Sequence, residues 1–247
     1  MRPASACRTP GMQLSRKLQK LWTGEFLTSA TNAYYRWRRP LDATALVQKI
    51  DLAGLERIRV KYEVPGERVA WPKYVNADHW LRKAIGQVRE LHLDRTTGKQ
   101  ILDLGSGAGY FLFTCKQLGH DGIGLDLPEP AYFGEMFSLL GLERVVWRIN
   151  AYQPLPELGR KFDLVTAFAI CFNGHNTDQV WGPSEWDFFL RDLETRVLSP
   201  GGEVFLALNP EPYGHFTPDL KRFFSERGAT TERGKIRLKL PGAMRRP

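Results

Sequence analysis

The chain has 247 residues, 43% hydrophobic and 25% charged, with 35 Lys and Arg against 27 Asp and Glu for a formal net charge of +8. That length holds one large core domain plus an appended segment and needs no disulfides to bury a core; Cys7, Cys115 and Cys171 are odd in number, widely spaced and lack metal-ligand spacing. No apolar run approaches the ~20 residues that span a bilayer, and the basic start lacks the apolar stretch of a secretory signal, so a reducing, cytoplasmic setting is expected. An Arg-rich, acid-poor start also fits an organellar transit segment, and Met12 is a second possible initiator.

The charge is uneven: residues 1–100 hold 19 Lys and Arg against nine Asp and Glu, and residues 101–247 hold 16 against 18. Residues 1–40 alone carry eight basic groups and one acid, Glu25. Such asymmetry marks either contact with nucleic acid or another anionic surface, or a solvated arm. Residues 1–11, with two prolines, read as disordered. From Gln13 to Tyr35, Leu14, Leu18, Leu21, Trp22 and Phe26 recur at helical spacing, and Arg39-Pro40 should end that helix. Asp42 and Asp51 are candidate helix caps. Arg57–Val64 alternates apolar and charged residues, which predicts a half-exposed strand. Asn76 or Asp78 then caps a helix whose apolar side holds Trp80, Leu81, Ile85, Val88 and Leu91.

Residues 101–109, Ile-Leu-Asp-Leu-Gly-Ser-Gly-Ala-Gly, follow as a short apolar strand running into alternate glycines. Tyr110, Phe111, Leu112, Phe113, Cys115 and Leu118 suit a buried helix. Strand, glycine turn and helix in that order open a nucleotide-type α/β fold, where backbone and ligand approach closely. A dinucleotide fingerprint needs a third small residue three positions after a Gly-x-Gly; here those positions are Tyr110 or Leu112, and both registers fail. The pattern Asp103-x-Gly105-x-Gly107-x-Gly109 instead resembles the first motif of class I S-adenosylmethionine-dependent methyltransferases.

The resemblance extends over residues 74–227. Asp121–Asp126 is a second short strand ending in an acid. Arg144–Asn150 reads as a third strand, Phe162–Phe168 as a fourth, Ser184–Leu198 as a helix, and a Pro-Gly-Gly turn feeds a fifth strand to Leu208. Pro218–Arg227 is a helix ended by Gly228, and Ala229–Leu240 a hairpin about Arg233-Gly234. The implied fold is α/β, doubly wound, with a mostly parallel seven-stranded-type sheet and helices on both faces. The implied division is a basic extension over residues 1–72, partly disordered and then helical, and a cofactor-binding domain over residues 73–247.

The implied cofactor is S-adenosyl-L-methionine, with Asp103, Gly105, Ser106, Gly107 and Gly109 at its methionine end. Asp126 would accept the ribose hydroxyls, with Leu127 beside it; Asn150 and Ala151 would face the adenine, Asn150 standing where the family commonly has Asp. Phe168 would lie in the floor of the reaction site, with Lys73, Tyr74 and Trp80 in an upstream lid, where packing is the expected role of Trp80. Methyl transfer from an activated donor rests on proximity and alignment. A general base is required for hydroxyl or ammonium acceptors only; His175, after the fourth strand, is the candidate, with His215 after the fifth as a second. Trp181 and Tyr213 are candidates for shaping an acceptor pocket. A small-molecule acceptor is the main expectation. The alternatives are a nucleic-acid acceptor held by the basic N-terminal segment, and a non-catalytic cofactor-binding protein.

Overall fold

The computed structural model describes residues 25–63, 74–170, 172, 180–210 and 214–240. The chain divides into two compact units, residues 1–42 and 43–247. In the first, helix α1 (Glu25–Arg38) places Arg36 and Arg38 in its last turn, where the helix dipole favours cations. The Tyr34 ring meets Tyr35 edge-on at 5.3 Å and Trp37 at 6.3 Å, and Arg38 donates to the Tyr34 hydroxyl at 2.8 Å. As expected, the helix stops before Pro40. Most of the predicted amphipathic segment, including Leu14 to Trp22, lies outside the described residues.

The second unit opens with helix α2 (Ala43–Val47) and helix α3 (Leu52–Tyr62). Asp51 caps α3 by accepting from the Gly54 N–H at 2.9 Å, which satisfies one of the free donors of the first turn. The strand expected over Arg57–Val64 is therefore corrected: residues 57–62 are helical. Leu55 and Ile58 share the buried face, and Arg59 bonds Glu56 and Glu63 at helical spacing. Val60 created the misleading alternation, and it is 59% exposed. Helix α4 (Ala77–Glu90) begins at Asn76, whose Oδ1 accepts from the His79 N–H at 3.1 Å.

Strands β1 (Gln100–Leu104), β2 (Asp121–Asp126), β3 (Glu143–Val146), β4 (Phe162–Ile170) and β5 (Leu198–Leu208) are parallel. After β5 come helix α8 (Pro218–Glu226) and the hairpin β6 (Thr230–Glu232) and β7 (Lys235–Lys239), with helices α5 (Tyr110–Gln117), α6 (Tyr132–Leu139) and α7 (Pro183–Asp192) placed earlier between the strands. The sheet order is β3-β2-β1-β4-β5-β7-β6, with β7 antiparallel to both neighbours. This is the doubly wound, mostly parallel seven-stranded sheet the sequence predicted. Arg233 and Gly234 both take positive φ, which a two-residue hairpin turn requires.

Strand alternation sends Leu102, Leu104, Val165, Ala167, Val204 and Leu206 into a core with Trp186, Phe189 and Phe224. On the other face Phe168 meets Phe111 of α5 at 4.9 Å and Phe205 at 5.5 Å. The third strand is shorter than expected, ending at Val146 rather than Asn150. Its parallel partner, β2, ends at Asp126 opposite Val146, and the Trp147 N–H donating to the Asp126 carbonyl at 2.9 Å closes the ladder.

Candidate functional site

The centre of the sheet positions the site. Where β1 ends, the Gly105 N–H donates to the Leu125 carbonyl at 2.7 Å, and Gly105, Gly107 and Gly109 all take positive φ, a backbone that favours glycine. Their surroundings differ. A Cβ on Gly109 would lie 2.9 Å from Leu142 and Phe137, whereas one on Gly107 would meet only the Phe133 ring, at 3.8 Å. Gly109 lets the helix pack, and Gly107 leaves open space above the loop. Tyr110 and Leu112, which break the dinucleotide pattern, are buried, and the Tyr110 hydroxyl donates to the Tyr74 carbonyl at 2.8 Å.

Two carboxylates flank the loop. Asp103 is buried and accepts from the Thr166 hydroxyl at 2.7 Å. Burial pushes its pKa up to about 7 against that hydrogen bond, and the charge of Asp126 adds to the rise. Asp126 accepts from the Gly107 N–H at 2.6 Å and from the Leu127 N–H at 2.8 Å. Burial raises its pKa too, opposed by those two bonds and by Arg144. Asp126 thus ties the glycine loop to the end of β2, and each oxygen keeps a further lone pair.

Two depressions meet here and share Gly105, Asp126 and Ile170. The larger, about 600 Å³, is lined by Leu127, Trp147, Asn150, Ala151, Trp181 and Glu185 among others. The smaller, about 310 Å³, holds Asp103, Ser106, Gly107, Gly109 and Phe168 against Tyr74, Trp80, Lys83 and Gln87. Every residue predicted for cofactor contact therefore lines one of two adjoining spaces. Trp80 is half-buried, stacks on Tyr74 at 4.7 Å, carries Lys83 over its ring and lines the smaller depression.

The segment between β3 and β4 has no regular structure, yet it is fixed. Asp192 accepts from the Leu155 N–H at 2.8 Å, and Arg196 bonds Asp192, the Leu155 carbonyl and Glu157. Asn150 donates to Gln153 at 2.7 Å, and the Tyr152 hydroxyl donates to Glu185 at 2.6 Å. Sequence reading missed Asp192 and Arg196; their i,i+4 spacing on a helix was the available signal. It also missed the end of β4, where Ala169 takes a positive φ at a register shift and its carbonyl accepts from Asn209 at 2.9 Å.

His175, Lys73, Tyr213 and Cys171 lie outside the described residues. The His215 ring sits against Gly234 in the β6–β7 turn, with Nδ1 3.2 Å from the Leu208 carbonyl. It is not among the residues lining either depression.

No family model matches the chain. Two curated relatives are tRNA U34 carboxymethyltransferases. The one from Idiomarina loihiensis is 28% identical over 47% of this chain and 34% of its own length; the one from Campylobacter hominis is 32% identical over 44% and 35%. The chain thus spans about a third of the length of the curated relatives it matches. Among solved structures, an amino pentose methyltransferase from Micromonospora echinaspora is 23% identical, covering 61% of each chain with a TM-score of 0.42. A Thermus thermophilus 16S rRNA methyltransferase is 21% identical, covering 72% of this chain and 45% of that one, also at 0.42.

Proposed function

We infer that this chain binds S-adenosyl-L-methionine across the Gly105–Gly109 loop and transfers its activated group to an RNA acceptor. The observation that carries the reading is the pair of adjoining depressions with Asp126 at their junction. One space suits a nucleoside and the other its charged tail.

The residues present fit that ligand. Trp147 Nε1 and Ser106 Oγ are buried without a hydrogen-bond partner among the described residues, and both belong to residues that line the depressions. Buried polar atoms of this kind call for a partner. Gly107 leaves the space a close backbone approach needs. Asp126 would accept the ribose hydroxyls with its remaining lone pairs, Asn150 and Trp147 would meet the base, and Asp103 would face an ammonium group. When bound, the cofactor supplies a sulfonium-activated carbon for in-line displacement. The chain's own part is orientation and exclusion of water, with Tyr74, Trp80 and Phe133 walling the smaller space. His175, which follows β4 in sequence, is the proposed base for acceptors that must lose a proton.

An RNA acceptor replaces the small molecule as the preferred reading. Its support is the activity named for the two curated relatives and the basic N-terminal part. In α1, moreover, Arg36 and Arg38 alternate with Tyr35 and Trp37, a composition suited to phosphate contact and base stacking. Incubation with labelled S-adenosylmethionine and fractionated cell extract tests the acceptor. Label entering RNA supports the reading, and label entering only small molecules or protein refutes it. S-Adenosylhomocysteine binding without transfer to any fraction would favour the non-catalytic alternative. Mass spectrometry of the product separates methyl from carboxymethyl.

A further inference from the structure

Toward the other end of the strands lies a third depression, of about 460 Å³, distinct in its lining from the two above. It lies where α4 ends and the chain turns through His92, which takes a positive φ; Leu91 and His92 are part of its lining. Lys99, from the start of β1, and Arg237 and Lys239, from β7, line it together with Glu203, Thr230 and His92. The Lys99 and Lys239 ammonium groups have no ion-pair partner among the described residues. Arg237 is held in place, donating to the Glu90 carbonyl at 3.1 Å with its guanidinium 5.3 Å from the Phe205 ring centre. Glu203, directly opposite Lys239 in the β5–β7 register, is the one carboxylate in the lining. Burial and then the positive charges of Arg95 and Arg237 push the His92 imidazole below its ordinary pKa, against the opposing charge of Asp94.

We propose that this depression holds backbone phosphates of the RNA acceptor, at a distance from the transfer site. Three cations against one carboxylate leave an excess that a phosphodiester satisfies, and an arginine fixed by backbone and ring contacts presents its fork without further ordering. The location selects the size of the ligand. Lys99 and Gly105 lie at opposite ends of β1, six residues apart, or roughly 20 Å at strand rise. A single nucleotide in the transfer site cannot reach both, whereas a folded RNA can. The proposal rests on the RNA-acceptor reading.

The experiment uses the full chain and bulk tRNA, with affinity measured across a salt series. Lys99→Ala combined with Lys239→Ala should weaken tRNA binding about 10-fold near 0.1 M salt and lower the slope of log K against log salt by about 1–2. Glu203→Gln should tighten binding about 3-fold by the same electrostatic argument. S-Adenosylhomocysteine affinity should stay unchanged in both variants. Unchanged tRNA affinity and slope in the double variant, or no tRNA binding by the wild type, overturns the proposal. Inorganic phosphate that saturates the wild type but not the double variant, without displacing tRNA, assigns the site to a free phosphate and also overturns it. If the wild type binds tRNA but not S-adenosylhomocysteine, the transferase reading fails while the double variant still decides the phosphate site.

Discussion

Asp103 gives the sharpest test of how the site handles charge. A carboxyl with a pKa of about 7 instead of 3.8 is harder to ionise in the folded protein by about 4 kcal/mol. An ammonium group brought against it removes that penalty, so the ligand binds the ionised form and expels a proton below pH 7. With the free carboxyl titrating near 7, only about 3% is ionised at pH 5.5. S-Adenosylhomocysteine should therefore bind about 30-fold more weakly at pH 5.5 than at pH 8, a difference of about 2 kcal/mol. Asp103→Asn should bind more weakly at pH 8 and show a flat profile. Calorimetry in two buffers of different ionisation enthalpy measures both the affinity and the proton released. The same group shifts stability with a known sign. Its folded pKa lies above its unfolded one, so its contribution is fully present below pH 3.8 and is lost as pH rises through 7. The wild type should lose stability relative to Asp103→Asn over that interval in urea unfolding. A wild-type affinity that is flat from pH 5.5 to 8, or an Asn variant with the same slope, refutes the reasoning.

Asp126→Ala removes acceptors from the Gly107 and Leu127 N–H groups, so unfolding free energy should drop by about 2–4 kcal/mol, with a further loss in ligand affinity. Denaturant melts alongside calorimetry separate the two, and a fully stable variant would contradict the clamp. Gly107→Val should abolish S-adenosylhomocysteine binding, because its side chain enters open space and must adopt positive φ; binding within 2-fold of wild type would remove the loop from the site. A chain starting at Ala43 should keep its affinity for S-adenosylhomocysteine while losing tRNA affinity. Loss of the former would make residues 1–42 part of the binding unit.

Most of the sheet was legible because its signals are local. Buried strands ending in glycine or an acid need no knowledge of their neighbours, and Asn76 and Asp51 cap helices through bonds spanning three residues. What escaped depends on distant partners. Alternation at Arg57–Val64 matches a strand, and only the cap at Asp51 and the burial of Leu55 and Ile58 choose the helix. The end of β3 is set by where β2 stops, not by the Trp-Arg-Ile sequence that continues it. The candidate site shows the same division: Asp103, the glycines and Asp126 could be read from spacing. The use of Asp126 as a loop clamp and the bracing of the β3–β4 segment by Asp192 and Arg196 could not, since these bonds join residues 19 to 41 positions apart.

The sheet's two outer strands have a consequence for how copies of this chain meet. One edge is β3, with four residues, and the other is β6, with three. Among the described residues, another chain adding itself to this sheet by backbone pairing would find only those short stretches to template against. The β3 edge begins with Glu143 and Arg144, and the β6 edge ends in Glu232 before the Arg233 turn. Charges on so short an edge oppose strand addition. Placing the long, apolar β5 inside the sheet, with the returning hairpin as its cover, removes the most adhesive strand from the rim. The antiparallel hairpin therefore guards against fibre-like self-association, a task separate from anything the ligand-binding end of the sheet requires.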